Sequence, residues 1–516
     1  METSSIYGPP TQPRTIHDAF YRVAAQHPQR VAVRTATDSI TYAELAADSR
    51  RIAAQLTSRG IGLGHVVPVV ARRSVELPAV LLGILATGAA YGMLDVRWPP
   101  RRLQRFLRRM DAPVAVADSA GLVGLTGSGT RPLTVDELHH TPAEDGPLPQ
   151  VAPEACATVF WTSGSTGTPK AVLSPHQATT RLFTTPPYLD YGNAPVMIHA
   201  AAVAWDAFTL ELWGMLLLGG TLIVHTADVL LPGDLRSYIR DLGATHLFLT
   251  PSLADVIVAG DIDCVAGLRC LMVGGDKPTP ATCQKLYAAY PAMELVNGYG
   301  PVESCVFATT HPITPADAHA PQPIPAGGPV PGTGVHIVAD GCVLPRGQVG
   351  EVALSGSGLA LGYLDEPELT DAAFRTLTVD GRQCRVYLTG DHGHIDDRGT
   401  LHFAGRRDAQ IKVAGHRIEP AEIETAALSL GSGRAVALPL PDGAGNPRLV
   451  LFAEPPAPGL TETELHVRLR ETLPAYMVPA RVHVVPEMPL LDNTKIDKRA
   501  LAERYGYPAQ PPRKDH

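Results

Sequence analysis

The sequence of 516 residues lacks the features that mark several other classes of protein. Its formal net charge of −8 is opposite in sign to the basic excess of a general nucleic-acid binder. Its seven cysteines form no Cys-x-x-Cys pair, which argues against a zinc ribbon or a disulfide framework and fits a reducing cytoplasm. The N-terminus has no signal-peptide pattern, and no apolar run is long and uncharged enough to span a membrane. We therefore expect a cytoplasmic globular protein that binds neither nucleic acid nor membrane.

The most informative segment that is present runs from Trp161 to Lys170. A strand-like run, Ala157–Trp161, leads into the sequence Thr-Ser-Gly-Ser-Thr-Gly-Thr-Pro-Lys. Glycines let backbone N–H groups converge on an anion, hydroxyl groups add donors, and the lysine adds positive charge. The Walker A spacing is absent, and a flexible linker rarely follows an apolar strand so closely. The pattern predicts a loop that binds polyphosphate.

Short apolar runs alternate with helical patterns along most of the chain. In its middle part, runs such as Val196–Ala201 alternate with helical segments such as Leu235–Leu242, which is typical of α/β layers with largely parallel strands. A segment rich in proline and glycine follows, then β-like segments, and the polar stretch Gly405–Gln410 predicts a hinge. We predict an α/β protein with a large N-terminal domain, residues 1–407, of layered α/β subdomains with a β-rich subdomain. A small mobile α+β C-terminal domain covers residues 408–516.

Several later segments, in chain order, carry a resemblance to a known family. Asn297-Gly-Tyr-Gly-Pro-Val-Glu303 is similar to an adenine and magnesium motif, and Tyr387-Leu-Thr-Gly-Asp391 resembles a ribose motif. The long stretch Gly405–Glu424 and the final Asn493-Thr-Lys-Ile-Asp-Lys498 complete the set. Together with the phosphate loop, they resemble the adenylate-forming superfamily of acyl-CoA synthetases, luciferases and amino-acid adenylation domains of nonribosomal peptide synthetases.

The resemblance implies that the chain binds ATP and Mg²⁺ and joins AMP to a carboxylate. Tyr299 would stack on adenine, Asn297 would bind its exocyclic amine, and Asp391 would accept from the ribose hydroxyls. Glu303 would bind Mg²⁺, which prefers carboxylate and phosphate oxygens, and Lys495 would be the catalytic lysine between the carboxylate and the α-phosphate. The residues that the resemblance assigns to ATP are Thr162, Ser163, Gly164, Ser165, Thr166, Gly167, Lys170, Asn297, Tyr299, Asp391 and Arg406.

The block Val203–Trp213 resembles the one that opens the substrate pocket of amino-acid adenylation domains. It implies that Asp206 binds an α-ammonium group, although a single Asp at this place is also explained by helix capping. The implied lining is apolar, with two glycines that leave room, and it resembles the pockets of valine-selecting domains. Isoleucine and 2-aminobutyrate should also be accepted, because one methylene is worth only about 1–3 kcal/mol of discrimination. The lining consists of Ala207, Leu210, Phe248, Met272, Gly274, Gly298, Val306 and Phe307.

The sequence departs from the family pattern at three positions. Val302 and Thr494 stand where the family usually has threonine and glycine. Ala414 replaces an arginine in the loop Lys412–Gly415, which the resemblance places beside the thiol tunnel of a second half-reaction. Asp408 matches the hinge position, where a change in one backbone angle would swing the small domain between the two half-reactions.

The implied acceptor of the activated amino acid is the phosphopantetheine thiol of a carrier protein. The sequence ends at His516 and shows neither a carrier nor a condensation domain, so we expect a free-standing protein that works with a separate carrier in nonribosomal peptide or related biosynthesis. The need for a small MbtH-like helper protein stays open.

Three other functions remain to be weighed against this one. An acyl- or aryl-CoA ligase has no amine to bind, so Asp206 argues against it. A D-alanine–carrier protein ligase fits the size but would need a tighter pocket. An inactive homologue is disfavoured because Lys170, Glu303, Asp391 and Lys495 are all present.

Overall fold

The computed structural model describes residues 3–140, 148–163, 169–183, 188–406, 411–413, 416–441, 447–454, 461–489 and 496–507. The α-helices are α1 Ile16–Gln26, α2 Tyr42–Ser58, α3 Leu77–Ala86, α4 Pro100–Met110, α5 Leu122–Leu125, α6 Val135–His140, α7 His176–Thr180, α8 Asp206–Leu218, α9 Pro232–Leu242, α10 Pro251–Asp261, α11 Pro280–Ala289, α12 Pro315–His319, α13 Pro367–Ala373, α14 Pro420–Ser429, α15 Glu462–Arg470 and α16 Lys498–Arg504.

The strands are β1 Ser5–Tyr7, β2 Val31–Arg34, β3 Ser39–Thr41, β4 Val66–Val70, β5 Ala90–Leu94, β6 Val114–Ala117, β7 Arg131–Thr134, β8 Cys156–Thr162, β9 Lys170–Pro175, β10 Val196–His199, β11 Thr221–Val224, β12 His246–Leu249, β13 Cys270–Gly274, β14 Glu294–Tyr299, β15 Thr309–Ile313, β16 Gly328–Pro329, β17 Thr333–Ala339, β18 Cys342–Val343, β19 Gly350–Gly356, β20 Gly362–Tyr363, β21 Phe374–Val379, β22 Arg382–Ile395, β23 Leu401–Arg406, β24 Ile411–Val413, β25 His416–Ile418, β26 Arg434–Pro441, β27 Pro447–Glu454 and β28 Arg481–Val484.

Two sheets carry the parallel strands. One has the order β20-β9-β8-β5-β4-β6-β7, with parallel pairing of β4 to β5 and to β6. The other has the order β16-β15-β14-β13-β12-β10-β11-β2-β3 and is parallel from β2 through β14. The predicted alternation in the middle of the chain is confirmed: the apolar run Val196–Ala201 contains β10, and Leu235–Leu242 lies within α9. Strand β13 is buried along its whole length, as expected for a central parallel strand.

A third sheet is antiparallel and forms the β-rich part of the large N-terminal region. Its order is β1-β17-β19-β22-β21, and β23 pairs with β22. The long strand β22 carries the predicted ribose residue Asp391, and β23 ends at Arg406. The register places these two residues opposite each other.

Two helix ends show how local sequence determines where helices begin and stop. Thr41 is the N-cap of α2 and forms a capping box with Glu44, in which each side chain accepts from a backbone N–H of the first turn. Helix α8 begins directly after Trp205 and ends at Gly219, whose φ of 73° is the left-handed conformation that glycine adopts without strain.

The chain divides into two compact units. The large unit comprises Met1–Val96, Gln104–Trp161 and Ala171–Asp408, and the small unit comprises Arg97–Leu103, Thr162–Lys170 and Ala409–His516. The small unit is α+β: β26 pairs antiparallel with β27, and β27 pairs in parallel with β28. Its helices α14 and α15 contribute Ile423 and Leu465 to a separate apolar core. Among the described residues, no helix is both long enough and apolar enough to cross a bilayer.

Candidate active site

The predicted ribose and adenine residues meet in the large unit. Tyr299, the last residue of β14, donates from its hydroxyl to Oδ2 of Asp391 at 2.6 Å. Arg406 donates from Nη1 to the other carboxylate oxygen, Oδ1. The Asp391 side chain is buried, and both of its oxygens accept hydrogen bonds from protein side chains. These contacts bring together three residues that lie far apart in the sequence.

The pairing of β22 with β23 fixes the orientation of this carboxylate. Asp391 and Arg406 are register partners, and Arg406 also donates from Nη2 to the carbonyl of Thr389 at 3.2 Å. The hydroxyl of Thr389 accepts from the backbone N–H of Asp391 at 3.0 Å. The resemblance assigns Arg406 to the nucleotide itself; in the structure its guanidinium binds Asp391, the predicted ribose residue.

Asn297 is oriented by a single backbone contact. Its side-chain nitrogen donates to the carbonyl of Pro325 at 2.7 Å. With the nitrogen donating to this carbonyl, the amide oxygen is the acceptor that the side chain can offer, and an oxygen acceptor is what an exocyclic amine requires. Next to this strand, the ring of Phe403 lies 6.4 Å from that of Tyr299, and Nζ of Lys277 lies 4.8 Å from the centre of the Phe403 ring. No signal in the sequence pointed to Phe403 or Lys277.

Glu303 is fully buried in the short turn after β14. The hydroxyl of Tyr363 donates to its Oε1 at 3.0 Å, and Tyr363 is a residue that the sequence analysis missed. Within the described part of the chain, no group of three His, Cys, Asp or Glu side chains forms a complete metal site. Mg²⁺ beside nucleotides is usually held by one or two carboxylates together with substrate phosphates and water, and Glu303 would supply such a carboxylate.

The predicted phosphate loop is described only at its two ends. Strand β8 ends at Thr162, Ser163 follows it and is buried, and β9 begins at Lys170. The hydroxyl oxygen of Thr162 is buried and makes no hydrogen bond with any described residue. A buried hydroxyl in this position suits a loop that receives phosphate oxygens.

Other predicted residues cannot be placed. Those outside the described residues are Gly164, Ser165, Thr166, Gly167, Asp408, Ala414, Thr494 and Lys495. Their roles stay predictions.

Asp206 is a buried carboxylate of the substrate block. It is the first residue of α8, directly after the N-cap Trp205, and its Oδ2 accepts from the backbone N–H of Val306 at 3.0 Å. Its side chain therefore reaches a different segment of the chain, and hydrogen bonds from the backbone N–H groups of Ala207 and Asp206, at the start of its own helix, also favour its charged form. Burial raises the pKa of Asp206 from 3.8 to about 6; the Val306 N–H opposes this rise, and the charge of Glu303 adds to it.

The non-glycine members of the predicted apolar lining are all buried in the large core of the unit: Ala207, Leu210, Phe248, Met272, Val306 and Phe307. The ring centres of Phe248 and Phe307 are 6.2 Å apart. Two aromatic residues that the sequence analysis missed lie beside them: Trp205 is 5.8 Å from Phe248, and Tyr188 is 6.1 Å from Phe307. Trp205 stands directly before Asp206 in the quoted block, which was a usable signal, whereas no sequence signal pointed to Tyr188.

The prediction that Gly274 and Gly298 leave room was wrong. A β-carbon at Gly298 would collide with the ring of Phe307. One at Gly274 would lie 2.9 Å from the carbonyl oxygen of Gly298 and 3.1 Å from the Phe248 ring. The physical reason is the path of the chain after Glu303, which turns Phe307 back over β14. The two glycines admit aromatic rings and a neighbouring strand.

Comparisons with known proteins agree with this geometry. A family model described as AMP-binding enzyme matches residues 20–364. The chain is 33% identical over 497 residues to tyrocidine synthase 3 of Brevibacillus parabrevis and 31% identical over 497 residues to gramicidin S synthase 2 of Aneurinibacillus migulanus. The matches cover 95% and 96% of this chain, but only 8% and 11% of those synthases.

A solved structure is also similar over most of the chain. It is holo-PA1221, an NRPS protein containing adenylation and PCP domains, bound to a vinylsulfonamide inhibitor. The TM-score is 0.86 at 30% identity, with 95% of this chain and 84% of that chain covered.

Proposed function

The chain belongs to the AMP-binding enzyme family, and from that premise we propose that it activates an amino acid with ATP. In the proposed reaction, a carboxylate oxygen of the amino acid attacks the α-phosphorus of ATP. The bond from that phosphorus to the bridging oxygen breaks, pyrophosphate leaves, and an aminoacyl adenylate remains. The proposal is supported by the arrangement of Asn297, Tyr299 and Asp391, which offers an acceptor, a ring and a carboxylate to a nucleoside.

Two anions must approach each other in this reaction, so the protein has to offset their repulsion. Lys170 would do so at the leaving pyrophosphate and Lys495 at the carboxylate and α-phosphate. Bound Mg²⁺ would supply further positive charge at the phosphates. Tyr363 holds the carboxylate of Glu303 in place for that ion, and Arg406 holds Asp391 in place for the ribose.

The observation that carries the choice of an amino acid is the buried carboxylate of Asp206. Its raised pKa of about 6 indicates that the surroundings disfavour its charge. A substrate ammonium group beside it would provide a counter-charge. The substrate acids of an acyl- or aryl-CoA ligase carry no amine and would leave this charge buried and uncompensated.

The apolar cluster next to Asp206 supports a small branched aliphatic substrate, and our best candidate is valine. A charged side chain would be penalised there because the lining of Phe248, Met272 and Phe307 offers it no counter-charge. The rings that lie against Gly274 and Gly298 occupy the space that the two glycines would otherwise leave to a substrate, which favours a compact side chain over a long one. In the second proposed step, the aminoacyl group passes to the phosphopantetheine thiol of a carrier protein.

A pyrophosphate-exchange screen over all common amino acids tests this proposal, run with and without an added MbtH-like protein. We expect valine to give the highest rate, with isoleucine and 2-aminobutyrate lower by roughly 10- to 200-fold at most. The matched control is 3-methylbutanoate, which has the shape of valine without the amine. Equal turnover of valine and 3-methylbutanoate, or turnover that requires coenzyme A, would assign the chain to the acyl-CoA ligases instead.

A further inference from the structure

We propose that Arg181 is a positioning residue for amino-acid recognition and acts on Asp206 through the peptide bond between Cys305 and Val306. This inference rests on the proposed function and adds to it a specificity-determining group outside the pocket. Arg181 opens the short turn Arg181–Phe183 after α7, more than a hundred residues before the segment on which it acts. Its side chain is only 1% exposed.

The guanidinium of Arg181 binds the carbonyls of the pocket segment. Its Nη2 donates to the carbonyl of Ser304 at 2.6 Å and to that of Phe307 at 2.8 Å, and it lies 3.4 Å from the carbonyl oxygen of Cys305. Burial lowers the pKa of Arg181 to about 10, so the group is still charged at neutral pH. A buried cation is therefore held against the backbone of residues 304–307.

One peptide group of this segment connects the cation to the anion of the pocket. The carbonyl of Cys305, near Arg181, and the N–H of Val306, which donates to Asp206, belong to the same peptide bond. The positive charge faces the oxygen end of that dipole and the negative charge faces its hydrogen end. Both charges favour the same orientation of the peptide, and that orientation fixes where the Asp206 carboxylate points.

The backbone of this segment needs such support. Cys305 has a φ of 50° and Val306 a φ of 63°, in the left-handed region that residues with a β-carbon disfavour, above all a β-branched valine. Such a conformation persists only where the surroundings hold it. That restraint is supplied on one side by Arg181, which donates to carbonyls of the segment, and on the other by Asp206, which accepts from the N–H of Val306.

Loss of Arg181 should therefore disturb the amino-acid side more than the nucleotide side. The segment would relax, Asp206 would lose its N–H donor, and the Phe307 ring would move from its place over Gly298. The nucleotide residues keep their own partners, since Asn297 binds Pro325 and Asp391 is held within its own strand pair.

A substitution at Gly358 offers a second way to disturb the contact between Arg181 and the carbonyls of the pocket segment. A β-carbon at Gly358 would collide with Nε of Arg181 and would lie 2.6 Å from Cζ. Gly358→Ala would thus displace the guanidinium without removing its charge. A matched control is Arg30, which also donates to a loop carbonyl, that of Gly219 at the far end of α8.

The experiment measures pyrophosphate exchange in Arg181→Met, Arg181→Lys, Gly358→Ala and Arg30→Met. For Arg181→Met we expect the KM for valine to rise roughly 10- to 100-fold, the range for losing hydrogen bonds from a charged group, with the KM for ATP within about twofold of wild type. The preference for valine over 3-methylbutanoate should fall. Arg181→Lys should restore part of it, Gly358→Ala should show the same split, and Arg30→Met should match wild type.

A proportional rise of the KM values for valine and ATP, or an unchanged preference for valine over 3-methylbutanoate, would overturn the inference and leave Arg181 with a structural role only. If Arg181→Met does not fold, Gly358→Ala decides the matter by the same two measurements. A wild-type protein that activates no amino acid would overturn the proposed function and this inference with it. An active wild type with unchanged variants would overturn the inference alone.

Discussion

The two sides of the candidate site in the large unit handle a buried carboxylate in opposite ways. On the nucleotide side, both oxygens of Asp391 are engaged by protein groups, the hydroxyl of Tyr299 and the guanidinium of Arg406. On the amino-acid side, Asp206 receives hydrogen bonds from backbone N–H groups, that of Val306 among them, and burial raises its pKa to about 6.

The difference shows what each side requires of its ligand. A carboxylate that already has a cationic partner keeps its orientation when the site is free, so a ribose only has to exchange or share hydrogen bonds with it. A carboxylate without a counter-charge is unfavourable until a cation arrives, so an ammonium group gains a strong interaction there. Selectivity for an amine should therefore come from Asp206. Asp391 should instead hold the ribose of the nucleotide in a fixed orientation.

The largest effect is expected from the substitution that removes the charge on the amino-acid side. Asp206→Asn should lower kcat/KM for valine on the order of 10²- to 10³-fold, because an ammonium group would be left in a buried site without its partner. The KM for ATP should stay close to that of wild type. Pyrophosphate exchange measured at varied valine and at varied ATP concentration gives the kinetic constants for each substrate separately. If binding of valine and of ATP weakened to a comparable extent, the distinction between the two sides would be wrong.

The same variant should be more stable than wild type at neutral pH. Asp206 binds its proton more tightly in the folded than in the unfolded chain, so its charge destabilises the folded state above pH 6 and this effect vanishes below pH 3.8. The rise from 3.8 to about 6 corresponds to about 3 kcal/mol. Denaturant unfolding of both proteins between pH 3.5 and pH 7.5 measures the difference, and a difference that does not grow with pH would contradict the assignment.

A third variant removes the positive charge that is predicted to act on both substrates, that of Lys495. Lys495→Ala should reduce adenylate formation roughly 10²-fold, the scale of losing one preorganised charged group. ATP binding should survive, since Lys170 and Tyr299 remain. Exchange kinetics together with equilibrium binding of ATP check this, and near-normal adenylation would rule out the assigned role.

The smallest effect is expected on the nucleotide side. Asp391→Asn keeps the shape and weakens the hydrogen bonds to the ribose, so the KM for ATP should rise roughly 10- to 100-fold. The KM for valine should change by less than about twofold, the mirror image of Asp206→Asn. A larger change for valine than for ATP would show that the two sides are not independent.

Much of the fold follows from local sequence patterns. The apolar run Val196–Ala201 predicted a strand of a parallel sheet, Leu235–Leu242 predicted a helix, and Thr41 with Glu44 forms the capping box at the start of α2. Such patterns are readable because strand burial and helix capping depend on residues only a few positions apart. The candidate residues Tyr299, Glu303 and Asp391 were found in the same way, from short motifs that resemble a family.

The partners of those residues could not be read from the chain. Tyr363 is sixty residues from Glu303, and no sequence pattern near either residue indicates that the two side chains are in contact. The pairing of Arg406 with Asp391 depends on the register of two strands, which is set when the whole sheet forms. The space beside Gly298 was misjudged for the same reason, because a glycine shows that something approaches closely but does not show what.

The sequence by itself determined the order of helices and strands, the α/β class and the chemical types of the site residues, since each depends on neighbours along the chain. The tertiary structure decided how the site works as a pocket. It placed the Phe307 ring over Gly298 and the guanidinium of Arg181 on the carbonyls of residues 304–307. It also left Asp206 with a backbone donor in apolar surroundings. These are contacts between segments distant in sequence, and burial and charge at such contacts exist only once the chain has packed.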